Sequence, residues 1–245
     1  MKTKTITRTK KTAQEKKPDN ISVILLCDSP GYRMKSYGPV SLVNINNYKL
    51  LDIQIEAIKE SFSGFEIIIC VGFDGDKICK YVRSKYSNLP IRVVENQVFN
   101  NSNSCESVRI SINNTMNHRV LICDGSLLFT SKTLSCVAYD QSCVLIEAKP
   151  SENLDIGINV DTNKEAQHFS YGACSTWSEI VFFNNKDILE SLRKVLSTPD
   201  YKNKFIFEAL NELIKSKHKI RCITNKYQIK KINNIKTYHG IKGTK

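Results

Sequence analysis

The sequence predicts an α/β fold with a mostly parallel central sheet and helices on both faces. Three observations predict it. Short, continuous apolar runs recur along the first half of the chain, as in strands buried on both faces. Segments with helical apolar spacing separate them, and strand and helix alternate three times between Ser22 and Cys123. The chain of 245 residues, 41% hydrophobic, is long enough for one substantial core.

Ser22–Cys27 is the first apolar run. Leu50–Ser61 places Leu51, Ile55 and Ile58 on one helical face. Phe65–Phe73, FEIIICVGF, is a second buried strand, and Asp76–Tyr86 a helix with Ile78, Val82 and Tyr86 on one side. Ile91–Glu95 is a third strand, Cys105–Asn114 a helix, and Arg119–Cys123 a fourth strand. Consecutive strands joined through helices imply parallel crossovers. The four strands are therefore expected as neighbours, with the loop Asp28–Arg33 at their C-terminal edge, where open α/β sheets bind ligands. The second half is less regular. Ser142–Ala148, Ile156–Val160, Gln167–Ser170, Glu179–Phe183 and Ile220–Ile223 read as strands, and Asp187–Leu196 and Lys204–Lys217 as helices.

The net charge is +12, concentrated at the two ends. Residues 1–17 hold seven Lys or Arg and one Glu, and Lys215–Lys245 is also basic. The chain divides into a basic flexible tail (1–20), a folded domain (21–235) and a basic C-terminal tail (236–245). Such ends suit an anionic partner, nucleic acid or an acidic protein surface, within a larger assembly; a solubilising tail is the plainer alternative. No apolar run reaches the roughly 18 residues of a bilayer span, so no membrane partner is expected. Nine cysteines are scattered without metal-ligand spacing, which points to reduced thiols and a cytoplasmic protein. The four histidines are isolated, no Ser-His-Asp arrangement is visible, and Trp177 reads as a core residue before it reads as a stacking platform.

The segment SVILLCDSPGYRM, followed by PVSLVNINNYKLLDIQIEAI, resembles the opening of the GT-A-type, Rossmann-like nucleotidyltransferases. These join a nucleoside triphosphate to a sugar phosphate or to phosphocholine. Their loop reads hydrophobic-Leu-Ala-Ala-Gly-x-Gly-x-Arg and is followed by Pro-Lys. Further segments are similar to later family motifs: VGFDGDKICKYV, FNNSNSCESVRISI, VLICDGSLLF, INVDTNKEAQHFSYG and TWSEIVFFNNKDILESL. Together they cover most of residues 21–235.

The resemblance implies a nucleotide or nucleotide-sugar site. Ser29, Gly31, Asn103 and Ser107 would bind the nucleotide. Arg33, Lys35 and Asp124 would carry any catalysis, with Asp124 and Asn233 at the metal. The family holds magnesium with two carboxylates, and here those positions are Ser126 and Asn233. Its two lysines fall at Val40 and, roughly, Tyr171, with Lys35 a nearby substitute. Asp28 adds a carboxylate to the phosphate loop, which would repel a triphosphate by about 1 to 4 kcal/mol. Two neutral groups do not replace two hard anionic ligands. The expectation is a pseudoenzyme: a nucleotidyltransferase-like protein with a degenerate site, acting as a nucleotide-binding or structural subunit. The alternative is a working, magnesium-dependent nucleotidyltransferase. A glycosyltransferase is a weaker third reading, because Asp124-Gly125-Ser126 lacks the Asp-x-Asp such enzymes commonly use.

Overall fold

The computed structural model describes residues 17–151 and 155–242. In chain order, the first half comprises β1 (Ile21–Cys27), β2 (Asn44–Ile45), β3 (Tyr48–Lys49), α1 (Leu50–Ser61), β4 (Phe65–Val71), α2 (Gly75–Lys85), β5 (Ile91–Glu95), α3 (Ser104–Ile112) and β6 (Arg119–Asp124). There follow β7 (Leu127–Leu128), α4 (Ser131–Leu134), β8 (Cys143–Glu147), β9 (Ile156–Val160), β10 (Ala166–Tyr171) and β11 (Ser175–Phe183). The chain continues through α5 (Lys186–Leu196), α6 (Ile206–Lys215), β12 (Arg221–Thr224), β13 (Lys230–Lys231) and α7 (Ile235–Lys242).

β6, β1, β4 and β5 lie side by side and parallel, as the strand–helix alternation requires. Every residue of β1 is buried, so the strand is the spine of the sheet. Its side chains alternate between two cores. Ile24 and Leu26 join α3, α5 and α6 on one face, while Val23, Leu25 and Cys27 join α1, α2 and α4 on the other. The second half extends the sheet through β11, which runs antiparallel to β6, β8 and β9. β12 then pairs with β8 in parallel.

A third, smaller core forms where the chain leaves β1. Met34, Val40, Val43, Ile45 and Leu50 meet Ile232, Tyr238 and Ile241 from the C-terminal end. This corrects the expected tail from residue 236: α7 runs to Lys242, and Tyr238 and Ile241 are buried. The lysines of this stretch drew attention to its charge, while Ile235, Tyr238 and Ile241 share one helical face that needs cover. Of the expected N-terminal tail, residues 1–16 lie outside the described residues. Pro18 accepts a backbone hydrogen bond from Ser63 and so joins the domain.

One polar cluster ties α1 to α2. Asp52 accepts hydrogen bonds from Tyr81 Oη (2.8 Å) and Tyr86 Oη (2.6 Å) and pairs with Lys85 Nζ at 2.7 Å. Burial works against its charge, but Lys85, Tyr86 and Tyr81 outweigh it and hold the carboxyl below its ordinary range. A depressed carboxyl stabilises the fold above its unfolded pKa, and that contribution is lost as pH falls through the folded value. Asp52→Asn is expected to cost about 2 kcal/mol near neutral pH. Denaturant titrations from about pH 7 down to about pH 3 should find the variant losing less stability with acid than the parent. An equal acid slope in both would remove Asp52 from this role.

Candidate functional site

A cavity of about 770 Å³ opens at the C-terminal ends of β1 and β6. Its wall includes the loop after β1, the turn after β6, the middle of β11, the start of α6 and the stretch Lys231–Asn233. Three backbone devices shape it. Gly31 sits at φ 71°, where a Cβ would lie 3.0 Å from the Val40 side chain, so the turn needs glycine. Gly125 presses against β1: a Cβ there would lie 2.5 Å from both the Leu26 carbonyl and Cys27 Sγ. Glu179 has φ 56° within an irregularity of β11 between Trp177 and Val181. A non-glycine residue in that region costs on the order of 1 kcal/mol, and here it carries a carboxylate at the cavity wall.

The polar groups fall into three sets. In the first, Ser107 Oγ donates to Asp28 Oδ2 at 2.5 Å and accepts from Asn96 Nδ2 at 2.9 Å. Burial pushes the Asp28 carboxyl above its ordinary range. In the second, Asp124 Oδ1 accepts from Ser126 N at 2.8 Å and Ser126 Oγ at 2.6 Å. In the third, Lys231 Nζ is ion-paired with Glu179 Oε1. Burial, with the Asp124 charge, pushes the Glu179 carboxyl above its ordinary range. Burial disfavours the Lys231 ammonium, yet Asp124 and Glu179 hold its pKa above the usual lysine value.

Ser29, Gly31, Asn103, Asp124 and Asn233 line the cavity. Ser107 does not: it is fully buried beneath Asp28. Arg33 and Lys35 are exposed and do not line it either. Arg33 turns to the Tyr32 ring, with its guanidinium carbon 5.0 Å from the centroid. Ser29 Oγ accepts from Gly31 N at 3.3 Å, which braces the loop. Asn233 holds the same loop through its carbonyl, which accepts from Tyr32 N at 2.8 Å, while its Oδ1 accepts from Asn234 Nδ2 at 2.7 Å. Val40, buried at 4% exposure between the small core and the cavity wall, puts an apolar side chain at the position of the family's first lysine.

Glu179 and Lys231 are not among the site residues expected from the sequence, although Lys231 opens the Lys231-Ile232-Asn233 stretch that holds Asn233. A lone glutamate within the apolar run WSEIVFF was the available signal. An aromatic wall was also missed. Phe205 stacks on Phe207 with centroids 5.9 Å apart, and Tyr171 meets Phe207 edge-on at 5.9 Å. Trp177 is both things at once, buried at 6% exposure with its indole N–H donating to the Ile180 carbonyl, and part of the cavity lining.

These donors do not fit a magnesium ion. Hard cations need several oxygen ligands, here expected from Asp124 and Asn233. Asp124 has one oxygen, Oδ1, taken by two bonds from Ser126 and offers a single anionic oxygen besides, Asn233 offers a neutral amide engaged with its neighbour, and an ammonium pairs with Glu179. Among the described residues there is no cluster of three or more His, Cys, Asp or Glu able to hold a metal.

No protein-family model matches the chain, and no curated protein matches it in sequence. Solved structures do match its fold. The CTP:phosphocholine cytidylyltransferase from Streptococcus pneumoniae superposes with a TM-score of 0.73 at 16% identity, covering 91% of this chain and 98% of that one. The inositol-1-phosphate CTP transferase from T. maritima gives 0.72 at 13% identity, covering 92% and 96%. A UDP-glucose pyrophosphorylase complexed with UDP-glucose gives 0.71 at 14% identity, covering 90% and 96%. The chain therefore has the α/β fold of the nucleotidyltransferases, as the sequence resemblance implied. At these identities the likeness is one of fold.

Proposed function

We propose that this protein binds a nucleotide or nucleotide sugar in the cavity at the C-terminal ends of β1 and β6 and does not transfer the nucleotidyl group. The carrying observation is the Lys231–Glu179 ion pair within the cavity lining, beside Asp124, where magnesium chemistry would need free carboxylates. The aromatic wall of Tyr171, Phe205 and Phe207 supplies flat apolar surface for a base or sugar. The fold neighbours include a pyrophosphorylase holding UDP-glucose, which supports the ligand class.

In this reading the chain is a ligand-binding or structural subunit of a larger, cytoplasmic assembly. The charge of its basic N-terminal residues suits an anionic partner, nucleic acid or an acidic protein surface. Nine free cysteines suit a reducing compartment. Among the described residues no helix is long and apolar enough to cross a membrane.

Thermal denaturation with CTP, UTP, ATP, GTP, CDP-choline and UDP-glucose tests the binding. A ligand at about 100 times its Kd stabilises by about 2.7 kcal/mol, which raises the Tm by several degrees. At least one of these ligands is expected to do so. A Tm unmoved by every one of them at millimolar concentration would overturn the reading.

A further inference from the structure

Lys231 is the only Lys or Arg among the described residues lining the cavity, against three carboxylates: Asp28, Asp124 and Glu179. Its placement is fixed from both sides. β13 runs antiparallel to β7, with Lys231 opposite Leu127, just beyond the Asp124–Ser126 turn. Ile232 N donates to the Ser126 carbonyl at 2.9 Å, locking the lysine strand to that turn. On the other side, the left-handed backbone of Glu179 belongs to the β11 irregularity that carries its carboxylate to Lys231. A strained residue, a short dedicated strand and an ion pair thus converge on one place in the cavity wall.

An ammonium has three donors and no geometric preference of its own. With one donor on Glu179, two remain for Asp124 and for a phosphate oxygen. We propose that the Lys231 ammonium is a tethered replacement for a divalent cation, so that the cavity takes its nucleotide ligand without magnesium. This rests on the reading that the cavity binds a nucleotide. A single tethered charge offsets less negative charge than a divalent ion does. The cavity therefore favours a nucleoside-diphosphate conjugate over a nucleoside triphosphate.

The test is calorimetric titration of UDP-glucose, CDP-choline and CTP into the full chain, once in EDTA and once in magnesium. The conjugate that binds is expected to do so equally in both buffers, and more tightly than CTP. Lys231→Met is expected to weaken it about tenfold or more in EDTA, the loss of a charge-assisted bond to phosphate. The same variant is expected to gain manganese binding, read by the electron paramagnetic resonance of the free ion, which the parent lacks. Lys231→Arg keeps the charge and is expected to retain binding in EDTA. If Lys231→Met does not fold, the pair Glu179→Gln with Lys231→Met removes both charges and replaces it. Parent binding that requires magnesium would overturn the tethered cation while leaving the nucleotide site standing. So would full affinity of Lys231→Met in EDTA. Absence of binding by all three probes under both conditions would overturn the nucleotide site itself.

Discussion

Incubated with magnesium and either CTP plus phosphocholine or UTP plus glucose 1-phosphate, the purified protein is expected to release pyrophosphate no faster than a protein-free control. Nucleotidyl transfer builds negative charge on the bridging oxygens, and preorganised positive groups must meet it. Among the described residues the charged lining of this cavity is Asp28, Asp124 and Glu179 against Lys231, and Lys231 is committed to Glu179. Val40, at the place of a family lysine, is neutral and buried in the small core. Removing one transition-state donor typically costs about 10²- to 10³-fold, and several are missing here together. Ser126→Asp with Asn233→Asp is expected to restore no turnover while Lys231 remains, because the ammonium still holds Glu179 and keeps its positive charge in the cavity wall. Magnesium-dependent pyrophosphate release by the unmodified protein, above control, would overturn the inactive reading and favour a working nucleotidyltransferase.

Gly125→Ala is expected to destabilise the fold by about 3 kcal/mol. The added Cβ would lie 2.5 Å from the Leu26 carbonyl and from Cys27 Sγ, both on the central strand β1. Neither contact can relax cheaply. The carbonyl accepts from Gly125 N at 2.8 Å, and Cys27 is buried at 5% exposure. Gly125 also presents its own carbonyl to Gln54 Nε2 at 3.2 Å, so a shift of the turn disturbs α1 as well. Because Asp124 and Ser126 flank the glycine, ligand affinity should fall together with stability. Denaturant titration reads the stability. A change below about 1 kcal/mol would show that the turn after β6 is not held this tightly.

The parallel half of the fold was legible because each of its strands is a continuous apolar run and each helix has a clear apolar face. Asp124 was legible through the resemblance of VLICDGSLLF to the family's metal strand, and it does end a strand beside the cavity. Glu179 was hidden by the irregularity of β11. A period-two reading of SEIVFF cannot reveal that φ turns positive at residue 179. Lys231 was hidden because its partner lies 52 residues away, and the β13–β7 pairing that sets Lys231 opposite Leu127 is long-range as well. The family resemblance puts Arg33 in the site as the loop arginine and Lys35 as a substitute for the lysine after the proline, but the turn leaves both exposed outside the cavity. Ser107 was chosen for its spacing from Asn103, whereas the helix aims it inward at Asp28. In each case local sequence fixed the residue's element, and long-range packing decided where the side chain went.

The most direct measurement is a crystal structure of the full chain grown with UDP-glucose or CDP-choline and manganese, with data collected at the manganese edge. Ligand density is expected between the Asp28–Gly31 loop and the Tyr171–Phe207 wall, with a phosphate oxygen within hydrogen-bond reach of Lys231 Nζ and no anomalous peak at Asp124. Ligand density bridged to Asp124 by a manganese peak, or a cavity left empty at saturating ligand, would contradict a metal-free nucleotide site.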